Sequence, residues 1–275
     1  MRVSVVSCTY NKSVQAKRGL TTLINQFRPP DEIVLVDDGS SDGTDFTARA
    51  LRKACKEKNI DFLYIYLPHP EPRISCYPRN LGFRNTTGDI VIFTEPECLH
   101  VGDTVNQLLV VMNNNPDRTP VATQVWTIQQ KIYDELSEED YLLPGRILIH
   151  RYAQLTTSSN LENTNAPDSD WAITGSKNCV TGCMFALKRQ WFEDIGGFDE
   201  DFTGHGWDDF DLFDRLAAYG KGIIHCDDIA VIHQWHEKNY PYNIYEHAER
   251  NGTISAERLK KGEYRANIGK EWGQL

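Results

Sequence analysis

Three acidic clusters stand where the chain turns out of an apolar run or into a helix. Asp37-Asp38 closes one run, Glu95-Pro96-Glu97 closes another, and Asp208-Asp209 follows His205-Gly206-Trp207. A single acid pair is ordinarily just solvated. Three at topologically matching ends, with His233 closing a later apolar run, point to chemistry. Paired carboxylates suit a hard divalent cation together with a phosphorylated ligand.

The elements that must position these residues are legible over the first part of the chain. Val3–Cys8, Glu32–Val36, Phe62–Tyr66 and Asp89–Phe93 read as strands. Leu20, Leu23, Ile24 and Phe27 share one helical face, and Arg28-Pro29-Pro30 stops that helix. Phe46, Ala50, Leu51, Ala54 and Cys55 mark a second helix after the turn Asp38–Gly43. The alternation predicts an α/β fold whose mostly parallel central sheet has right-handed crossovers. Ligands of such sheets sit beyond the carboxyl ends of the strands, where the first two clusters lie. Further on, Val105, Leu108, Leu109 and Met112 mark a helix, while residues 115–175 are polar and carry no motif. Gly196–Asp199 reads as a turn, and Leu212, Phe213, Leu216 and Ala217 as a helix face. Asp209 shares that face by spacing, whereas Asp211 and Arg215 form an i, i+4 pair expected at the surface. Gly222–His225 and Ala230–His233 read as two short strands, and the chain after Tyr240 has weak helical periodicity.

Composition narrows the classes. The chain has 275 residues, a hydrophobic fraction of 40% and a net charge of −10. That acidity argues against broad binding to a nucleic-acid backbone or to an anionic lipid surface. Neither a membrane-spanning run nor a signal-peptide core is legible. Seven scattered cysteines without a CxxC pair argue against zinc and against a disulfide framework, so free thiols in the cytoplasm are expected.

Several segments together resemble the GT-A glycosyltransferases, especially the family-2 nucleotide-sugar transferases. They are Val5–Asn11, Ile33–Thr44, Pro78–Gly82 with Thr87–Phe93, Gly196–Phe202, Trp207–Leu212 with Arg215, and His233. The resemblance covers residues ~3–97 and ~178–236 and leaves the middle unmatched. It implies a Rossmann-like nucleotide-sugar-binding half at 1–98, an acceptor-binding and catalytic half at 99–240, and a tail at 241–275 that is a candidate lid, all in one continuous domain. The implied activity is transfer of a sugar from a nucleotide-diphosphate sugar, a UDP-sugar by preference, to a hydroxyl of a carbohydrate or other acceptor. The implied course is an inverting single displacement.

The resemblance also distributes roles. Asp38 would accept from the base edge, with Thr9, Tyr10 and Asn11 lining the nucleotide pocket. Arg79 and Arg73 would pair the diphosphate or base. Glu97 and His233 would hold Mn²⁺, or else Mg²⁺, as a Lewis acid on the departing diphosphate. Asp209 would be the general base beside Asp208, or else only a helix cap. Two departures matter. The family's Asp-x-Asp is Glu95-Pro96-Glu97 here, which leaves three readings open: Glu ligands throughout, Glu97 and His233 binding while Glu95 orients, or no metal. Trp207 stands where the family often has glycine, and its ring either stacks on a sugar or joins the core. Gly182 either lets backbone approach the donor sugar or marks a bulge. His236, three residues past His233, is expected to face elsewhere on an extended strand. Two rival readings remain: a catalytically silent nucleotide-sugar or glycan binding module, and a nucleotidyltransferase. The second lacks its Gly-rich loop, since no glycine follows Thr9 until Gly19.

Overall fold

The computed structural model describes residues 1–68, 76–128, 130–141, 161–163, 183–237 and 243–274. Arg73 and Gly182 lie outside the described residues. Four strands, β1 (Val3–Thr9), β2 (Glu32–Asp37), β3 (Asp61–Tyr66) and β4 (Ile90–Thr94), run parallel in the order β3-β2-β1-β4. Helices α1 (Ser13–Ile24), α2 (Thr44–Glu57) and α3 (Cys76–Arg84) connect them. The sheet continues through β8 (Met184–Lys188), β6 (Thr119–Ile128), β9 (Ile223–His233) and β5 (Cys98–His100), with β7 (Leu161–Asn163) paired to β6. Here β8 is antiparallel to β4, and β5 is antiparallel to β9. The remaining helices are α4 (Thr104–Asn114), α5 (Gln130–Glu135), α6 (Glu138–Tyr141), α7 (Arg189–Asp194), α8 (Asp208–Ala218) and α9 (Ile244–Lys260).

Both faces of the sheet are covered at β1, β2 and β4, which is why these strands read as largely apolar runs. Val5, Ile33, Leu35 and Ile92 face one side with Leu20, Leu23, Leu51 and Leu108. Val6, Val91 and Phe93 face the other with Phe83, Phe192, Leu212 and Trp272. The strand order reverses between β1 and β4, so a crevice opens beyond their carboxyl ends.

Several local expectations are corrected. Phe27 lies past the end of α1 and is 97% exposed, and Phe46 at the start of α2 is also exposed, because a face read by spacing loses its partners at helix ends. The two short strands before His233 are one strand, β9; exposed Asp227 and Asp228 interrupt the apolar pattern without interrupting the backbone. Asp211 and Arg215 are completely buried rather than superficial. The inward stripe of α8 runs Asp208, Asp211, Leu212, Arg215, so Asp208 is buried and Asp209 stands partly exposed. After Tyr240 the chain forms the 17-residue helix α9. No disulfide joins the cysteines among the described residues. No helix among them is long and apolar enough to cross a membrane.

Candidate functional site

The first rim of the crevice is built by the loops after β1 and β2. Asn11, at φ +50°, ties them together: its side-chain oxygen accepts from the Ser41 amide (2.8 Å) and its own amide donates to Ser40 Oγ (2.8 Å). Asp37 is occupied in the same way, by the Ser40 amide and the Tyr64 hydroxyl. Thr9 and Asp38 are buried at the strand ends, and Tyr10 is half-buried between them and Asn11. Thr9 Oγ1 is buried with no hydrogen-bond partner among the described residues, an atom that a bound polar ligand would satisfy.

The second rim is the turn from β4 into β5. Helix α1 lies directly on it, because Gly19 has no side chain; a Cβ there would come within 2.8 Å of the Cys98 carbonyl. Glu97, on that turn, is buried. Its Oε1 faces three nitrogens: Lys12 Nζ at 2.6 Å, His236 Nε2 at 3.2 Å and His233 Nε2 at 3.3 Å. His233 arrives by register, opposite Cys98 in the β5–β9 pair. His236 arrives because β9 ends at His233 and the chain then turns; Gln234 anchors that turn by donating its amide and its Nε2 to the Glu97 carbonyl. The expectation that His236 faces elsewhere is therefore corrected, and the extended-strand assumption behind it failed one residue after His233. Burial would raise the Glu97 carboxyl, but Lys12 and the two imidazoles outweigh it and hold it well below its ordinary range. Burial would lower His233, and the Glu97 hydrogen bond outweighs that and raises it.

These residues fit a divalent cation. Two ligands on one ion at about 2.1 Å and near-tetrahedral or octahedral angles lie roughly 3.0–3.4 Å apart, the spacing found between Glu97 Oε1 and each imidazole. Glu97 Oε2 is buried without a hydrogen-bond partner among the described residues, an orphaned acceptor that an ion would satisfy. Among the described residues, Glu97, His233 and His236 are the group whose ligand atoms gather closely enough to hold an ion.

Glu95 stands apart from that group. Its carboxylate is held by Arg79, which also holds Asp208 and reaches Asp209 at 3.5 Å. Arg79, expected toward a diphosphate or base, is in contact with these carboxylates. Burial opposes the guanidinium's charge, and Glu95 and Asp208 outweigh it. Burial would also raise the Asp208 carboxyl, and Arg79 and His205 bring it below its usual value. The same arginine therefore joins the metal-side turn to the start of α8. Trp207 precedes the acid pair with φ +72°, a left-handed conformation uncommon for a large residue. Its half-buried ring lies on Gly252 of α9, 5.6 Å from the Phe210 ring.

Sequence reasoning missed Lys12 and His236 as members of the Glu97 cluster. A lysine three residues past Thr9, at a helix start, was the available signal for the first. For the second, a repeated histidine at i+3 was visible, but its direction depends on where β9 ends.

The glycosyltransferase-like family 2 pattern matches residues 4–243. An uncharacterized glycosyltransferase, YfnE of Bacillus subtilis (strain 168), is 25% identical over 87% of the chain. Validoxylamine A glucosyltransferase of Streptomyces hygroscopicus subsp. limoneus is 26% identical over 88% of it. The chain spans only 66% and 53% of those proteins' own lengths. The mannosyltransferase PcManGT from Pyrobaculum calidifontis, solved with GDP-Man and Mn²⁺, superposes with a TM-score of 0.59 at 21% identity, covering 87% of this chain and 58% of that one. GalNAc-T7, solved with UDP, GalNAc and Mn²⁺, gives 0.63 at 15% identity, covering 95% and 49%. These likenesses establish the GT-A fold for this chain.

Proposed function

Because the chain belongs to the glycosyltransferase-like family 2, we propose that it transfers a sugar from a nucleoside-diphosphate sugar to a hydroxyl acceptor by an inverting single displacement. The observation that carries this reading is the junction made by Arg79. It brings the acid pair of α8 to the turn whose Glu97 gathers two imidazoles, which supports a base and a cation site bordering one crevice.

The nucleotide end lies over β1 and β2, where Thr9 and Asp38 meet the base and Tyr10 lines the pocket, with Asn11 fixing the loop. Glu97, His233 and His236 would hold a divalent ion, which when bound supplies Lewis-acid stabilisation of the leaving diphosphate. Two imidazoles and one carboxylate suit Mn²⁺ better than Mg²⁺. Asp209, the more exposed of the two aspartates and the weaker partner of Arg79, takes the proton from the acceptor hydroxyl. The acceptor oxygen bonds to the anomeric carbon as the bond from that carbon to the phosphate oxygen breaks, and the electron pair leaves on the nucleoside diphosphate. Asp208, held by Arg79, fixes the start of α8 and with it the position of Asp209. UDP-sugars are the preferred donors by the likeness of the turn after β2.

Asp209→Asn tests the assignment. Transfer should fall at least a thousandfold while UDP affinity stays within about threefold; retention of activity by that variant would rule Asp209 out as the base. One observation favours a silent binding module instead, namely that Glu95 is tied to Arg79 and leaves a single acid of its turn for an ion. Metal-dependent release of UDP from a donor panel decides between the two readings, since a silent module would bind donors and release none.

A further inference from the structure

Lys12 has no role in the transfer outlined above, yet of the three nitrogens facing Glu97 it is the closest. It stands immediately before the first residue of α1, and its side chain runs inward rather than to solvent, placing Nζ 2.6 Å from Glu97 Oε1. That is the oxygen both imidazoles face. An ammonium has three donors and no lone pair, so it cannot share a coordination sphere as a ligand. It can only neutralise the carboxylate from the place where a cation would sit.

From this placement we infer that Lys12 is a displaceable counter-cation: its ammonium neutralises Glu97 until a divalent ion takes that oxygen, and then turns to the diphosphate of the donor, coupling the binding of ion and nucleotide. The inference rests on the proposed donor site and gives one further residue a part in it. Two features support the exchange. Lys12 follows directly on Thr9-Tyr10-Asn11, the loop at the β1–β4 crevice, so a short swing of a flexible side chain takes it from Glu97 toward the space over the strand ends. Charge also balances at each stage. One carboxylate faces one ammonium before loading, and afterwards the dication and the ammonium together face the carboxylate and a polyanionic diphosphate. A dication arriving alone would leave an ammonium stranded beside it, so ion and nucleotide should each bind better in the other's presence.

The test uses the full chain, with Mn²⁺ and UDP as probes. Mn²⁺ affinity is read from the electron paramagnetic resonance signal of the free ion, and UDP affinity by calorimetry at saturating Mn²⁺. Lys12→Met should bind Mn²⁺ alone about tenfold more tightly than the parent protein and bind UDP with Mn²⁺ about tenfold more weakly. Lys12→Arg, which keeps the charge, should keep the weak Mn²⁺ binding of the parent. The opposite signs matter, because a merely damaged site would weaken both. Unchanged or weaker Mn²⁺ binding in Lys12→Met overturns the inference. If the parent binds Mn²⁺ and transfers sugar while Lys12→Met matches it, the counter-cation role alone has failed. If neither protein binds Mn²⁺, the metal reading of the site fails and takes this inference with it.

Discussion

Arg79 and His100 show how much of this site depends on single buried groups. Arg79 is 14% exposed and serves carboxylates from two distant segments. Removing it would leave Glu95 and Asp208 facing each other without a cation. A buried ion pair broken from one side typically costs about 3–5 kcal/mol. Arg79→Met should therefore lower stability by that order in urea melts, and adding Glu95→Gln and Asp208→Asn should recover much of it. A single Arg79→Met variant as stable as the parent would refute the clamp. His100, on β5 behind the metal-side turn, is enclosed by Thr22, Thr94 and the Gly19 carbonyl. Burial pushes its imidazole down to about 3. As pH falls below about 6.5 the unfolded chain takes a proton that the folded chain refuses. The stability that His100 contributes is thus present above about 6.5 and is lost progressively toward about 3. Relative to His100→Gln, the parent should lose up to ~1.4 kcal/mol per pH unit between roughly pH 6.5 and 4.5. Parallel stability–pH curves for the two proteins would contradict this.

Elements, rather than single side chains, decide where the acid pair stands. Helix α3 is tied to the turn before α8 by Asn80, which is completely buried. Its Nδ2 donates to the Phe198 carbonyl and to Glu200 (both 2.8 Å), and its Oδ1 accepts the Phe198 amide (2.9 Å). Asn80→Ala would leave the Phe198 amide without this acceptor in the core, costing about 1–3 kcal/mol. The unfolding midpoint should drop by roughly 2–5 °C; an unchanged midpoint would show that this bracket carries no weight. Strands β1, β2 and β4 were legible because burial on both faces writes them as largely apolar runs. The faces of α1 and α2 were legible in their middles and misread at Phe27 and Phe46, where neighbours run out. Buried charge was not legible at all. Asp208, Asp211 and Arg215 look like surface residues until their partners, Arg79 and the Ile195 carbonyl, are brought in from other segments. The acid and histidine types of the site could be read from the sequence. His236 could not be placed, because its direction depends on the turn after β9, which nothing local encodes.

At the scale of the whole molecule, the chain after residue 243 acts on the acid pair from behind. Trp272 packs against Phe83 and Phe192 in the main core, and the Arg84 guanidinium lies 3.9 Å over its ring. Arg258 holds Asp199 and Asp201, and Asn267 donates to the carbonyls of Gly196 and Phe198. Within α9, Asn251 is buried and donates to the Thr203 (3.1 Å) and Gly206 (2.9 Å) carbonyls, while its oxygen accepts the Thr203 amide (3.2 Å). The 203–207 loop, with three left-handed residues at Gly204, Gly206 and Trp207, is thus held by α9 immediately before Asp208. The Glu97 cluster depends on none of these contacts, since it is built from the start of α1, the β4–β5 turn and the end of β9. The two halves of the site should therefore be separable. Asn251→Ala should loosen the loop and lower kcat about tenfold or more, because small displacements of a positioned base are costly. Mn²⁺ affinity in the absence of nucleotide should stay within about twofold, since the contacts of Asn251, with Thr203 and Gly206, are not shared with Glu97, His233 or His236. Parallel loss of Mn²⁺ binding and turnover would instead mean that α9 supports the crevice as a whole, and that the two clusters form one mechanical unit.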